Sequence, residues 1–211
     1  MQINPSRVIK FLEKKVKPFF KFELSERSRF SEDKIFKLLV QMIIQNSFAE
    51  GTCNYQKIFT EVPGSDTFLR CIKNTNVHDI QNNFCFFNKR AIKIAKRQGL
   101  FNLPLPIAID WIDIMFYGDR NFDKNLRGAI EMFRKRWGIE TGYRMIDQFL
   151  PKTTSKNYIV RMFYFFFGCI MYNAWILFNL IKSTIKRYLH IPVLFFKNLI
   201  LRIFLSSKTF S

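Results

Sequence analysis

The 20 residues from Met162 to Ile181 contain no charged side chain, and this stretch limits the folds open to the chain. A segment of this length and hydropathy forms either a buried core helix or a helix that crosses a bilayer. It includes Asn173 and Asn179, whose amide groups cost energy in lipid unless they are paired. The sequence therefore favours a buried helix, and a membrane span at about 162–181 is the alternative.

The first 103 residues predict a helical region. Residues 5–22 have the pattern of a basic amphipathic helix that Pro18 ends. Ser31 is the expected N-cap of a second helix, which should stop near Gly51. Residues 88–97 predict a further helix with a basic face, and a Pro-rich boundary follows at Leu103-Pro-Leu-Pro106.

The net charge of +18 comes from 34 Lys and Arg residues against 16 acidic residues. Such an excess is typical of proteins that bind a polyanion, either nucleic acid or an anionic membrane surface. The alternative is a generically basic protein whose charged helix faces only contact solvent. The four cysteines include no C-x-x-C pair, so no zinc site is expected, and reduced thiols suit a cytoplasmic protein.

Two later segments place carboxylates where they could act in catalysis. Residues 107–109 predict a short buried strand that ends on Asp110, and the end of a strand is a suitable position for a metal ligand. Glu140 lies on a predicted helix with Arg136 four residues before it and Arg144 four residues after it. These three residues could form ordinary ion pairs, or a metal-binding carboxylate flanked by phosphate-binding cations.

Four motifs occur in an informative order. They are Ile-Asp-x-x-Asp-x-x-x-Tyr-Gly (109–118), Arg-Trp-Gly-Ile-Glu-x-x-Tyr-Arg (136–144), Lys-Thr-Thr-Ser (152–155) and Tyr-Asn-Ala-Trp (172–175). Residues 107–180 thus resemble the C-terminal half of insertion-sequence transposases of the DDE type. The resemblance implies an RNase-H-like fold that nicks and transfers DNA strands, with two Mg²⁺ or Mn²⁺ ions held by two Asp and one Glu.

The resemblance assigns roles residue by residue. Asp110 matches the first catalytic, metal-binding Asp, and Glu140 matches the catalytic, metal-binding Glu. Arg136 matches the Arg that precedes this Glu by one helical turn. Arg144 and Lys152 are the other implied DNA contacts.

The chain departs from the family pattern in one decisive respect. Only 30 positions separate Asp110 from Glu140, and no residue between them matches the second Asp. A strand needs about five residues and a crossover about a dozen or more, so the missing part of the sheet does not fit. In addition, Phe133 and Asp147 stand at the positions of the family's Tyr and Lys.

These observations together predict an α+β, mostly helical protein. It should have a helical, candidate DNA-binding region (1–103), a truncated RNase-H-like domain (104–188) and an apolar basic tail (189–211). We expect a cytoplasmic, transposase-derived protein that is catalytically defective and whose partner is DNA, with terminal inverted repeats as its target. A homodimer of this chain is also compatible with the sequence. The alternatives are a small basic membrane protein and a non-enzymatic DNA-binding remnant.

Overall fold

A computed structural model of the chain describes residues 5–20, 22, 24, 28–97, 99, 143–185 and 191–206. Over these residues the protein is mainly helical, as the sequence predicts. The helices are α1 (Pro5–Lys15), a short 3-10 helix (Lys17–Phe19), α2 (Glu32–Gln45), α3 (Ala49–Lys57), α4 (Ser65–Lys73), α5 (Val77–Arg97), α6 (Tyr158–Ile185) and α7 (Val193–Ser206). Residues 143–147 are helical as well.

The expected fold also includes the strands of a truncated RNase-H-like domain. The described part of the chain contains no strand, and its one β feature is an isolated parallel bridge between Phe48 and Lys152. The predicted strand at 107–109 lies outside the described residues. The mainly helical character is therefore confirmed, whereas the truncated RNase-H-like domain stays a prediction.

The start of α2 agrees with the sequence, but its end does not. The Ser31 hydroxyl accepts a hydrogen bond from the Lys34 amide at 3.4 Å, as expected of an N-cap. The helix ends at Gln45, because Asn46 adopts a left-handed conformation with φ of 50°. The prediction that this helix stops near Gly51 was wrong, since Gly51 lies inside α3.

Two other helix boundaries also differ from the pattern. The predicted basic helix at 88–97 is the later part of α5, which begins already at Val77 and whose end is followed by Gly99 with φ of 77°. At the start of α6, the Asn157 side chain accepts a hydrogen bond from the Val160 amide at 3.1 Å. Asn157 is therefore the N-cap of α6, which begins before the apolar stretch 162–181 that the sequence indicates.

Helix α6 lies at the centre of the hydrophobic core. It packs along α5 and also contacts α1 and α4, while α7 packs on α1 and α2. Phe163 and Phe167 stack with their ring centroids 6.2 Å apart, and Phe20 meets Phe167 edge-on at 4.9 Å. Aromatic side chains of this kind bury about 150–250 Å² each, so this cluster is a large part of the apolar surface that folding removes from water.

The two amides within α6 are both hydrogen-bonded inside the protein. Asn179 donates to the backbone oxygens of Trp175 and Ile191 and accepts from the Ile191 amide at 2.7 Å. Asn173 donates to Asn88 of α5 at 2.8 Å. The Trp175 indole also donates to the Ile191 oxygen at 2.8 Å, so this network joins the start of α7 to α6.

The hydrogen bonds of Asn173 and Asn179 help to decide whether α6 is a core helix or a membrane span. Among the described residues, one segment, Tyr158–Ile181, is long and apolar enough to cross a bilayer, and its most apolar window is 61% buried in the protein. The surrounding helices cover most of it, and both of its asparagines form hydrogen bonds inside the protein. These contacts favour the core interpretation.

Replacing Asn179 with Leu should destabilise the fold by about 1–3 kcal/mol, because the buried Ile191 amide loses its acceptor. Urea denaturation followed by circular dichroism, in buffer without detergent, measures the free energy of unfolding. Asn198→Leu is the matched control, since Asn198 is exposed on α7 and its replacement should stay within about 0.5 kcal/mol of the parent. Equal effects of the two variants would contradict the network, and a chain recovered only in the membrane fraction would support the span.

Gly168 allows the chain before Lys152 to lie directly on α6. A Cβ atom there would overlap the Leu150 side chain and would lie 3.1 Å from the Phe149 carbonyl oxygen. At Gly51 in α3, by contrast, an added Cβ would meet nothing within 4 Å. Substituting alanine for each glycine therefore separates the effect of packing on stability from the effect of helix propensity.

Gly51→Ala should stabilise the protein by up to about 1 kcal/mol, which is the helix-propensity difference between the two residues. Gly168→Ala gains the same propensity term but incurs an overpacking cost of about 1–3 kcal/mol, so it should lower stability. Thermal unfolding of both variants beside the parent protein measures the two shifts. A stabilising Gly168→Ala would show that residues 149–150 do not pack on α6.

Candidate nucleic-acid interface

Asp110, Glu140 and Arg136 lie outside the described residues. Within the ranges that the structure covers, no group of three or more His, Cys, Asp or Glu side chains could hold a metal ion. The Mg²⁺ or Mn²⁺ site therefore stays a prediction that rests on the motif resemblance.

The two remaining predicted DNA contacts are both described and exposed. Arg144 lies on the helical segment 143–147, where Asp147 is also exposed, three residues further on. Lys152 follows this segment and bridges in parallel to Phe48, immediately before α3. The structure thus places Lys152 beside the start of α3.

Lys152 lines a cleft of about 910 Å³ with both polar and apolar walls. The cleft brings together the end of α2, the first turns of α3 and α4, the Lys-Thr-Thr-Ser motif and one tyrosine of α6. Its lining residues are Asn46, Ser47, Phe48, Ala49, Glu50, Gly51, Asn54, Ser65, Asp66, Leu69, Lys152, Thr153, Thr154, Ser155 and Tyr164.

The electrostatics of this cleft are mixed. Neither α3 nor α4 has a side-chain hydrogen bond at its N-cap, so their first amides are available to acceptors. Glu50 and Asp66 lie in those same first turns and offset the positive ends of both helices. Lys152 is the one cation among the lining residues, against two carboxylates. A polyanion would therefore gain little charge neutralisation here.

Tyr164 is a buried member of the same cleft. Its hydroxyl donates to the Met42 sulfur at 3.9 Å, which is a weak hydrogen bond. Burial raises the pKa of Tyr164, so the phenol stays neutral at physiological pH. The tyrosine consequently supplies a neutral polar group and no charge to the cleft.

Among the described residues, a separate cluster of positive charge lies on α5 and the end of α1. We call it the basic surface, and it consists of Lys15, Lys89, Arg90, Lys93, Lys96 and Arg97. The five cations of α5 are exposed, and α5 contains no acidic residue after Asp79. Lys15 and Arg90 line the same small cavity, together with Phe87 and Ile94, so cationic side chains from two separate helices lie near each other there.

Packing positions this surface. Phe87 is buried and meets Phe19 of the 3-10 helix edge-on at 5.4 Å. Ile80, Phe87 and Ala95 are the buried residues of α5, and together they face the protein interior. The helix therefore turns its buried residues to the core and leaves its cations in solvent, together with the exposed side chains of Phe86 and Ile92.

The cations of the basic surface have no acidic partners in the part of the chain that the structure describes. The ion pairs found there join Asp33 to Lys17 and to Lys37, at 2.6 Å each. Unpaired cations in a cluster repel one another, and a polyanion relieves this repulsion while releasing its own counterions. The surface is therefore suited to contact a phosphate backbone.

The sequence predicted both basic helices but not their contact. Residues 5–22 and 88–97 each show the basic pattern, yet nothing in either segment indicates that Lys15 lies next to Arg90. The fold brings these residues together through the packing of α1, α5 and α6.

Comparison of the chain with protein-family models, with curated proteins and with solved structures found no match.

Proposed function

We propose that this protein is a transposase-derived DNA-binding protein that has lost strand-transfer activity. The observation that supports DNA binding is the basic surface, whose exposed cations have no acidic partner among the described residues. The ancestry is supported by the order of the four motifs over residues 107–180. The truncated RNase-H-like domain over 104–188 is part of this proposal.

Nucleic acid suits the basic surface better than an anionic membrane does. A helix that binds at a membrane interface inserts its apolar face between the lipids. Other helices of the protein already cover the buried residues of α5, and Phe86 and Ile92 are its exposed large apolar side chains. A phosphate backbone, in contrast, requires only the exposed cations.

The proposed loss of catalysis follows from the number of metal ligands. Two-metal strand transfer needs two ions about 4 Å apart that clamp the attacking and leaving oxygens. Asp110 and Glu140 match the outer two ligands of such a site, and the short interval between them contains no match for the third. Without that carboxylate, one ion has too few oxygen ligands.

We therefore expect no nicking of DNA that carries candidate terminal repeats when the protein is supplied with Mg²⁺ or Mn²⁺. The measurement is conversion of supercoiled plasmid to the open circular form, with Asp110→Ala as the matched control. The parent and this variant should both stay at the background rate. Metal-dependent cleavage by the parent that Asp110→Ala abolishes would overturn the proposed inactivity.

Removing two charges from the basic surface should weaken binding to duplex DNA. Each phosphate contact contributes about 0.9 to the slope of log affinity against log salt concentration. The double variant Lys93→Gln/Lys96→Gln should therefore lower the magnitude of this slope by about two. Fluorescence anisotropy at several salt concentrations gives the slope for each protein.

A charge-matched control is available on other helices. Lys57 of α3 and Lys73 of α4 are both exposed, so Lys57→Gln/Lys73→Gln removes the same charge from outside the basic surface. This control should keep the slope of the parent. Equal losses in both double variants would show that binding depends on net charge alone, and an absence of binding at low salt would refute the proposed DNA-binding function.

A further inference from the structure

A pocket of about 310 Å³ opens between α5 and α6. The small side chains of Ala91 and Ala95 leave this space, and apolar side chains from both helices form most of its walls. The lining residues are Asn88, Ala91, Ile92, Ala95, Asn173, Ile176, Leu177 and Leu180. Ligand sites have this character, since they are mostly apolar, measure about 300–1,000 Å³ and carry a few fixed polar groups.

The polar groups of this pocket are the two paired amides. Asn173 donates through Nδ2 to Oδ1 of Asn88 at 2.8 Å, which fixes the two side chains relative to each other. Each amide has further hydrogen-bonding capacity. That bond uses Oδ1 of Asn88 and Nδ2 of Asn173. Within the described ranges, the other atom of each amide, Nδ2 of Asn88 and Oδ1 of Asn173, has no hydrogen-bond partner in the protein. The pocket therefore offers one donor and one acceptor side by side.

The basic surface borders this pocket. Lys89 and Lys96 are exposed and directly follow the lining residues Asn88 and Ala95 along α5. A group that extends from the pocket toward solvent on this side of the helix would meet their ammonium groups. A ligand that fits all three features has an apolar body, adjacent donor and acceptor atoms on its edge, and an attached anion.

We propose that this pocket holds a nucleobase whose attached phosphate is neutralised by Lys89 and Lys96. Base faces are apolar enough for the aliphatic walls, and base edges carry the donors and acceptors that the amide pair complements. A lipid chain would leave those amide groups without partners, which carries a desolvation cost. The base belongs either to a free nucleotide or to an unpaired segment of DNA, and the second case rests on the proposed DNA-binding function.

The test fills the pocket and compares three probes. Ala91→Leu places a larger side chain in the pocket, and Cys85→Leu makes a similar change at an exposed position of α5 outside it. The probes are AMP, a single-stranded oligonucleotide, and the same oligonucleotide with abasic sites in place of its bases. Thermal unfolding confirms that each variant keeps the fold.

Ala91→Leu should weaken binding of AMP, of the base-bearing strand, or of both by about tenfold, the scale of one base contact. Binding of the abasic strand should not change, and Cys85→Leu should behave as the parent. A loss confined to AMP identifies a free nucleotide, and a loss confined to the base-bearing strand identifies DNA. Parent-like binding of both base-bearing probes by a folded Ala91→Leu protein would overturn the proposal.

Asn88→Ala supplies a second test if Ala91→Leu does not fold. It leaves the pocket open but removes the donor, so it should weaken the same probes severalfold, and parent-like binding by this variant would also overturn the proposal. The result of this pocket test can be distinguished from the result of the DNA-binding test of the proposed function. Binding of AMP without any binding of DNA would refute the DNA-binding function and leave the pocket assignment standing.

Discussion

The structure depends on hydrogen bonds to the two amides within its most apolar helix. In an apolar core, an unpaired amide costs a substantial fraction of the total stability of a domain. Asn173 bonds to α5, and Asn179 bonds to the backbone at the start of α7. These bonds pair both amides of α6 with neighbouring segments and also fix the helices that cover it. The same interactions thus allow α6 to be buried and specify which helices bury it.

The position of α6 determines the surface chemistry of α5. Because α5 turns its buried residues toward α6 and the 3-10 helix, its cations remain in solvent without acidic partners among the described residues. The same packing creates the pocket in which Asn88 meets Asn173. One helix pair therefore produces both the basic surface and a pocket at its edge, so electrostatic attraction and recognition of a base would act over the same few residues.

Local features of the fold could be predicted from the sequence, whereas contacts between distant residues could not. Ser31 is recognisable as a cap, because Asp and Glu follow it before an apolar helical pattern. The end of α2 was missed, because Asn46 adopts a left-handed conformation and ends the helix before the predicted stop near Gly51. The contact of Lys15 with the cavity beside Arg90 joins residues far apart in the chain, and no local pattern encodes it.

The same distinction applies to the candidate site. Arg144 and Lys152 are exposed, as DNA contacts must be, but the cleft beside Lys152 contains two carboxylates that the motif itself does not reveal. Binding and catalysis also make different demands on structure. Affinity for a phosphate backbone adds up over many cations and tolerates changes of geometry, while two-metal catalysis fails when a single ligand is lost. A transposase-derived chain without its second Asp would therefore lose catalysis first, and its cations would continue to bind DNA.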